Sequence, residues 1–382
     1  MTDIMQLLRA TDELEANKQD AVLATVVKVE GSAYRRPGAR MLIPVFGGAV
    51  GTVSGGCLER DLISKAWWLT DSGKPTVRTY STGAEDDEAD EEEDLTFGLG
   101  CNGTVHILLE RVQHNAVPLP LCLLRQVHRL GAPAALATVI ASSDESVRLA
   151  DRVAIDPTGV VHLSIRQDSL AKALEVDLRA VMLHQRSARQ RYSLEGGEVE
   201  VLFEYLMPPP RLVVFGAGHD AQPLVSLASQ HGWQVTVIDA RRHFARKERF
   251  PGAVQVLHLE LEQQADLGAI LNAAAVVIMS HSYRQDRHWL EHALRMRPRY
   301  IGQLGPRSRT ERLLADIGPS SRHYPGYERL HYPMGLDLGG DTPESVALSV
   351  LSELTAHTNG RQGGMLRMRE APIHDCVPTL RG

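Results

Sequence analysis

The chain has 382 residues, 43% of them hydrophobic and 23% charged, with a formal net charge of -6. That length suits two ordinary domains, each able to bury its own core, and the mildly acidic, otherwise average composition shows neither a nucleic-acid-binding nor a membrane surface. Cys57, Cys101, Cys122 and Cys376 form no Cys-x-x-Cys pair, the N-terminus lacks a basic-then-apolar leader, and no apolar run approaches the roughly 20 residues that span a bilayer, so free thiols in a reducing cytoplasm are expected.

A helix is predicted from about Thr2 to Lys18, then a β-rich run from Ala21 to Val29 that stops at Gly31. The next loop, Tyr34-Arg35-Arg36-Pro37-Gly38-Ala39-Arg40, is basic and broken by proline and glycine. Arg35, Arg36 and Arg40 are candidates for holding a phosphate, because the guanidinium fork matches an oxyanion; the plainer reading is a solvated surface.

Ser54-Gly55-Gly56-Cys57-Leu58-Glu59-Arg60 follows a β run and has the pattern of a glycine turn opening a helix that continues through Trp67 and Trp68. Cys57 then falls in the first helical turn, where the dipole and free N–H groups favour thiolate. Glu59 in this reading complements the helix N-terminus.

Residues Glu85 to Asp94 carry nine acids in ten positions and are expected to form a self-repelling, solvated loop. Phe97-Gly98-Leu99-Gly100-Cys101-Asn102-Gly103 is a glycine-dense turn leading into the strand Thr104 to Leu109, and Gly100 and Gly103 let a ligand approach the Cys101 sulfur. For both cysteines the plainer reading is a small buried hydrophobe. Soft thiolates suit copper, zinc, iron–sulfur or high-valent molybdenum, but no partner histidine pattern supports structural zinc. Cys122, on an apolar helix, is assigned to packing and Cys376 to a tail.

A helix near Leu121, strands near Ala135 to Ile140, Val160 to Ile165 and Val199 to Tyr205, and a helix from Leu170 to Leu183 complete the first domain. Pro208-Pro209-Pro210 marks a stiff junction. The expected division is 1–207, a linker at 208–210, a second domain at 211–356 and a tail at 357–382.

The second domain opens with the strand Leu212 to Phe215, the turn Gly216-Ala217-Gly218-His219-Asp220-Ala221, a helix ending at Gly232, and the strand Gln234 to Asp239. This fits the G-x-G-x-x-G/A pattern with a terminal acid, making Gly216, Gly218, His219 and Asp239 candidate dinucleotide contacts. Alternatively, the glycines serve only the turn and Asp239 pairs with Arg241 or Arg242; those arginines also leave a 2′-phosphate open. Ser280-His281 follows another buried strand. His281 is the candidate acid/base residue of an NAD(P)-dependent oxidoreductase, or else a histidine bonded to a loop carbonyl. The glycine turn, Asp239, Ser280, His281 and Gly305 should meet at one crevice. The expected fold class is α/β, with a C-terminal Rossmann-type, doubly wound parallel sheet after an N-terminal mixed α/β domain.

Several of these motifs together resemble the xanthine dehydrogenase accessory proteins, the XdhC/CoxI-like family, over most of the length. They are Ala24-Thr25-Val26-Val27, Gly31 to Ala39, Ser54 to Glu59, Gly98 to Gly103, Phe215 to Asp220, Tyr300 to Gly305, and Pro333 to Gly339 with Thr342 to Ala347. The resemblance implies a chaperone that binds and protects the molybdenum cofactor, as molybdopterin or its nucleotide form. It also implies support for exchanging an oxo for a sulfido ligand, and insertion into a molybdenum hydroxylase such as xanthine dehydrogenase. On this reading Cys57 and Cys101 stand beside the molybdenum, Gly55, Gly56, Gly100 and Gly103 give access, and Arg35, Arg36 and Arg40 hold the phosphate. A cysteine desulfurase-type sulfur donor, a homodimer, and NAD(P) or another nucleotide in the second domain are left open. So are two rivals, the oxidoreductase and a cofactor-free adaptor that docks through the acidic loop.

Overall fold

The computed structural model describes residues 3–81, 103–263, 266–370, 373 and 378–380. They fall into two units, Asp3–Pro208 with the tail residues 378–380, and Pro209–Ile373.

In chain order the N-terminal unit holds α1 (Asp3–Asn17), β1 (Ala21–Gly31), β2 (Arg40–Pro44), β3 (Val50–Gly51), α2 (Glu59–Leu69), β4 (Thr76–Ser81) and β5 (Gly103–Val112). It continues with α3 (Leu119–Leu130), β6 (Ala134–Ser142), β7 (Arg152–Ile155), β8 (Val161–Leu163), α4 (Asp168–His184), β9 (Ala188–Leu194) and β10 (Gly197–Leu206). The strands make two antiparallel sheets, ordered β3-β2-β1-β5-β4 and β8-β7-β6-β10-β9.

The second half therefore repeats the first, element for element. Ala21-Val22-Leu23-Ala24-Thr25-Val26-Val27 recurs as Ala134-Ala135-Leu136-Ala137-Thr138-Val139-Ile140. Thr25 lies opposite Arg40 as Thr138 lies opposite Arg152, and Leu23 opposite Glu110 as Leu136 opposite Glu204. Both central pairings also bulge at equivalent residues, bypassing Val27 and Ile140.

Side-chain alternation along the strands sets the layers. Val22, Ala24, Met41, Ile43, Ile107 and Leu109 pack on Leu58, Leu62 and Ala66 of α2 and its approach. Ala137, Val139, Val201 and Phe203 pack on Leu170, Leu174 and Leu178 of α4. The opposite faces meet, Leu23, Leu42 and Val112 against Ala134, Leu136, Ala154 and Leu206, with α1 and α3 closing the same core. Each buried leucine here contributes about 1.5–3 kcal/mol. The tail rejoins this unit: Thr379 bridges Arg189 at the β9 edge.

The C-terminal unit holds β11 (Arg211–Phe215), α5 (Ala221–Gln230), β12 (Gln234–Asp239), β13 (Gln255–His258), α6 (Gly268–Leu271), β14 (Ala275–Ile278), α7 (Tyr283–Arg295), β15 (Tyr300–Gln303), α8 (Arg307–Ile317), β16 (Leu330–His331) and α9 (Pro343–Thr358). Its parallel sheet runs β13-β12-β11-β14-β15-β16, so the strand order reverses between β11 and β14. One face is covered by α5 and α9, the other by α7 and α8. This is the expected doubly wound Rossmann-type sheet. The N-terminal unit is α/β with purely antiparallel sheets, and β4, β7 and β9 were not foreseen.

Candidate functional site

The loop between β3 and α2 is organised around one carboxylate. Glu59 accepts from the Val53, Ser54 and Gly56 N–H groups at 3.2, 2.9 and 3.1 Å and from the Thr52 and Ser54 hydroxyls. Ser54 Oγ in turn accepts from Leu58 N–H at 3.2 Å. Burial works to raise the Glu59 pKa, but the Ser54 and Thr52 hydroxyls and the Ser54 N–H outweigh it and hold the group down to about 2. The residue that sequence reasoning assigned to the helix dipole instead fixes the shape of the cysteine loop. Its signal was present in the sequence: a carboxylate one turn beyond Ser54-Gly55-Gly56, in a stretch rich in N–H and hydroxyl donors.

Cys57 sits at the tip of this loop, two residues before α2, with its thiol exposed. It lines an open depression of about 480 Å³ with Gly56, Arg60, Asp61 and Ser64. Asp61 is held by the Tyr80 hydroxyl at 2.9 Å and by Lys65 at 2.7 Å. A methyl group on Gly55 would touch the Tyr34 ring at 3.6 Å, so the ring of the basic loop lies on the cysteine loop.

Of the three arginines in that loop, Arg40 is committed elsewhere. Its Nη2 reaches both carboxylate oxygens of Glu204 at 2.9 and 2.8 Å, buried between the two sheets, and its Nη1 donates to the Gly38 carbonyl. The expected phosphate contact by Arg40 is not available while this pair stands, which leaves Arg35 and Arg36. Gly103 pairs with Gly31 and backs onto the Ser32 carbonyl, at the end of β1 that leads into the same basic loop. Gly100, Cys101, the acidic run 85–94 and Cys376 lie outside the described residues. Cys122 is half-buried on α3, its thiol donating to the Val117 carbonyl at 3.5 Å.

In the C-terminal unit the carboxyl ends of β11, β12 and β14 bring the glycine turn, Asp239, Ser280 and His281 together. Gly216, at φ 117°, packs so closely that a methyl group there would lie 2.6 Å from the Met279 carbonyl. Asp239 is fully buried and accepts from Ala217 N–H at 2.7 Å and from Arg241 through its N–H, Nε and Nη2 at 2.8, 3.0 and 2.8 Å. Burial opposes the charged form of Asp239, yet Arg241 and the Ala217 N–H keep its pKa below the usual range. His219 is exposed at the turn. His281, at φ 58°, puts Nε2 2.6 Å from Asp220, and the other Asp220 oxygen lies where a Gly218 side chain would go. Ser280 donates to the buried Asp286, which Arg309 holds at 2.8 Å, next to Gly305. The acceptor that a ribose needs is spent on Arg241, and a carboxylate stands at the mouth of the anion cradle.

Among the described residues no group of three or more His, Cys, Asp or Glu could hold a metal ion, and no helix is long and apolar enough to cross a membrane.

A cysteine loop pinned by a buried-side carboxylate beside a basic loop, followed by a Rossmann-type unit, defines a two-part scaffold with its reactive group on the first part. Residues 14–81 match the XdhC and CoxI family, and 212–354 match the XdhC Rossmann domain. The chain is 30% identical over 345 residues to a probable xanthine dehydrogenase subunit of Bacillus subtilis (strain 168), covering 90% of this chain and 94% of that one. It is 26% identical over 357 residues to the molybdenum cofactor insertion chaperone PaoD of Escherichia coli (strain K12), covering 93% and 88%. A solved Bacillus halodurans structure described as a xanthine dehydrogenase superposes with a TM-score of 0.70 at 28% identity, over 96% of this chain and 98% of that one. The chain belongs to the XdhC and CoxI family.

Proposed function

We propose that the chain binds and protects the molybdenum cofactor, supports its sulfuration, and inserts it into a xanthine dehydrogenase-type molybdenum hydroxylase. The observation that carries this reading is the exposed Cys57 thiol on a loop fixed by Glu59 beside Tyr34, Arg35 and Arg36. A thiolate is a soft donor suited to molybdenum, and two arginines supply charge for the cofactor's phosphate. Cys57 would hold the metal end, with Cys101 as a second thiol. The bound cofactor supplies the metal chemistry that the hydroxylase later uses; this chain's residues hold it and limit its exposure. The name of the Escherichia coli relative supports insertion as the task. Sulfuration calls for a sulfur donor of the cysteine desulfurase class.

The oxidoreductase reading is weaker, because Asp220 and Asp239 occupy the places that a dinucleotide's pyrophosphate and ribose require. The test is purification of the full chain from a molybdenum-replete host, followed by metal and pterin analysis. Retained molybdopterin that falls in a folded Cys57→Ser variant supports the reading. No molybdopterin at any stoichiometry overturns it.

A further inference from the structure

The repeat within the N-terminal unit creates two equivalent seams, one where the 34–40 loop of the first half meets β10, the other where the 146–152 loop of the second half meets β5. Each is crossed by a buried ion pair, Arg40–Glu204 in one and Arg152–Glu110 in the other. The loops correspond bond for bond. Ala39 N–H donates to the Arg36 carbonyl as Asp151 N–H donates to that of Arg148, and Gly38 N–H to Val26 as Ala150 N–H to Val139.

The seams nevertheless differ in content. The position of Arg35 in the first is taken in the second by Val147, buried in the core beneath α4. Ser146, the counterpart of Tyr34, is tied down by Asp144 at 2.6 Å. In the first seam the loop instead stands off and encloses one wall of a cavity of about 530 Å³. Ile4 and Leu7 of α1 and Leu206 and Met207 at the end of β10 form its apolar side, Arg35 and Arg36 its basic side. Glu204 is neutralised by Arg40, so the cavity is basic on balance. Volumes of about 300–1,000 Å³ with an apolar lining and a few polar groups are typical of small-molecule sites.

We propose that this seam binds the planar body of an organic anion, with the body on Ile4, Leu7, Leu206 and Met207 and the anionic group on Arg35 and Arg36. The inference deepens the reading above and rests on it, since a pterin bearing a phosphate has this chemistry. Both halves of the duplicated unit then contribute to one ligand site, and the second seam is a closed copy.

The experiment titrates the full chain with neopterin monophosphate, followed by pterin fluorescence, beside phosphate-free neopterin and inorganic phosphate. Ile4 and Met207 are 45% and 55% exposed, so Ile4→Glu and Met207→Glu place an acid on the apolar wall without disturbing a core; Leu163→Glu, on β8, is the control at 59% exposure. Saturable binding that weakens at least about tenfold in both wall variants and not in the control is expected, as is weaker binding without the phosphate. Absence of saturable binding, or binding that both variants leave unchanged, overturns the proposal. The same proteins purified from a molybdenum-replete host separate the two readings. Cofactor retained equally by wild type and wall variants leaves the carrier standing and removes the seam. Wild type without cofactor, but with wall-dependent probe binding, does the reverse.

Discussion

Arg40 and Glu204 face each other across the two sheets of the N-terminal unit with side chains 6% and 5% exposed, and Arg152 and Glu110 repeat the contact at 2.5 Å with 9% and 7%. Removing one member of such a pair leaves a buried charge uncompensated, a cost of about 3–5 kcal/mol, whereas replacing both by apolar residues is often near neutral. Glu204→Gln and Glu110→Gln should therefore each destabilise the unit by that amount in urea denaturation. Arg40→Met with Glu204→Leu should recover most of the loss. A single-variant loss under about 1 kcal/mol would show that the sheets do not depend on these pairs.

Glu59 replaces solvent as the partner of three backbone N–H groups, those of Val53, Ser54 and Gly56. Charge-assisted bonds of this kind are worth about 1.5–3 kcal/mol. In Glu59→Gln, hydrogen exchange at these three amides should accelerate roughly 10- to 100-fold, while amides in β1 keep their protection. Acceleration spread over the whole unit would make Glu59 a general stabiliser and not the organiser of the Cys57 loop.

The C-terminal sheet was legible because its strands are continuous apolar runs, its turn carries Gly216 and Gly218, and its helices have caps such as Thr342 before Pro343. The N-terminal sheets were less so. β7 and β9 are short or alternate weakly, and β4 precedes the acidic run with no turn signal of its own. The duplication left one readable trace, the Ala-x-Leu-Ala-Thr-Val run at Ala21 and Ala134. Its other evidence, matched registers and ion pairs, exists only in three dimensions. At the site, the Cys57 turn was visible from its glycines. The commitment of Arg40 to Glu204 was not, because a partner 164 positions away has no local signature.

The thiols give a direct measure of the loop's exposure. Cys57 is exposed, while burial pushes the Cys122 thiol up and away from its reactive form. Site-resolved mass spectrometry after brief iodoacetamide treatment of the native chain should find Cys57 labelled at least about tenfold faster than Cys122. Equal rates would place Cys57 in a covered position.

For the glycine turn the expected result is failure to bind. Asp220 sets a negative charge at the mouth of the cradle, and Asp239 has its acceptor positions filled by Ala217 and Arg241. Calorimetric titration with NADH and NADPH should give no Kd below about 1 mM. Tight binding of either would show that Asp220 and Arg241 swing away, and would restore the oxidoreductase reading.

Glu353 on α9 ties three segments together, accepting from the Tyr300 hydroxyl at 2.6 Å, from Gly335 N–H, and pairing with His331 Nδ1 at 2.7 Å. Burial acts to raise its pKa, but His331, Tyr300 and the Gly335 N–H prevail and hold it below the ordinary 4.5. A depressed folded pKa means that the unfolded chain takes up the proton first. The stabilisation is complete above pH 4.5 and is lost as pH falls through the folded value; Glu59, lowered to about 2, and Asp239 act in the same direction. Melting temperature should thus decline between about pH 4.5 and pH 2. Glu353→Gln should begin about 1–3 kcal/mol less stable near neutrality, because Tyr300 and His331 lose a charged acceptor, and then decline less steeply over that interval. Parallel acid limbs for wild type and variant would mean that Glu353 titrates alike in the folded and unfolded chains, and that its contacts add no pH-dependent stability.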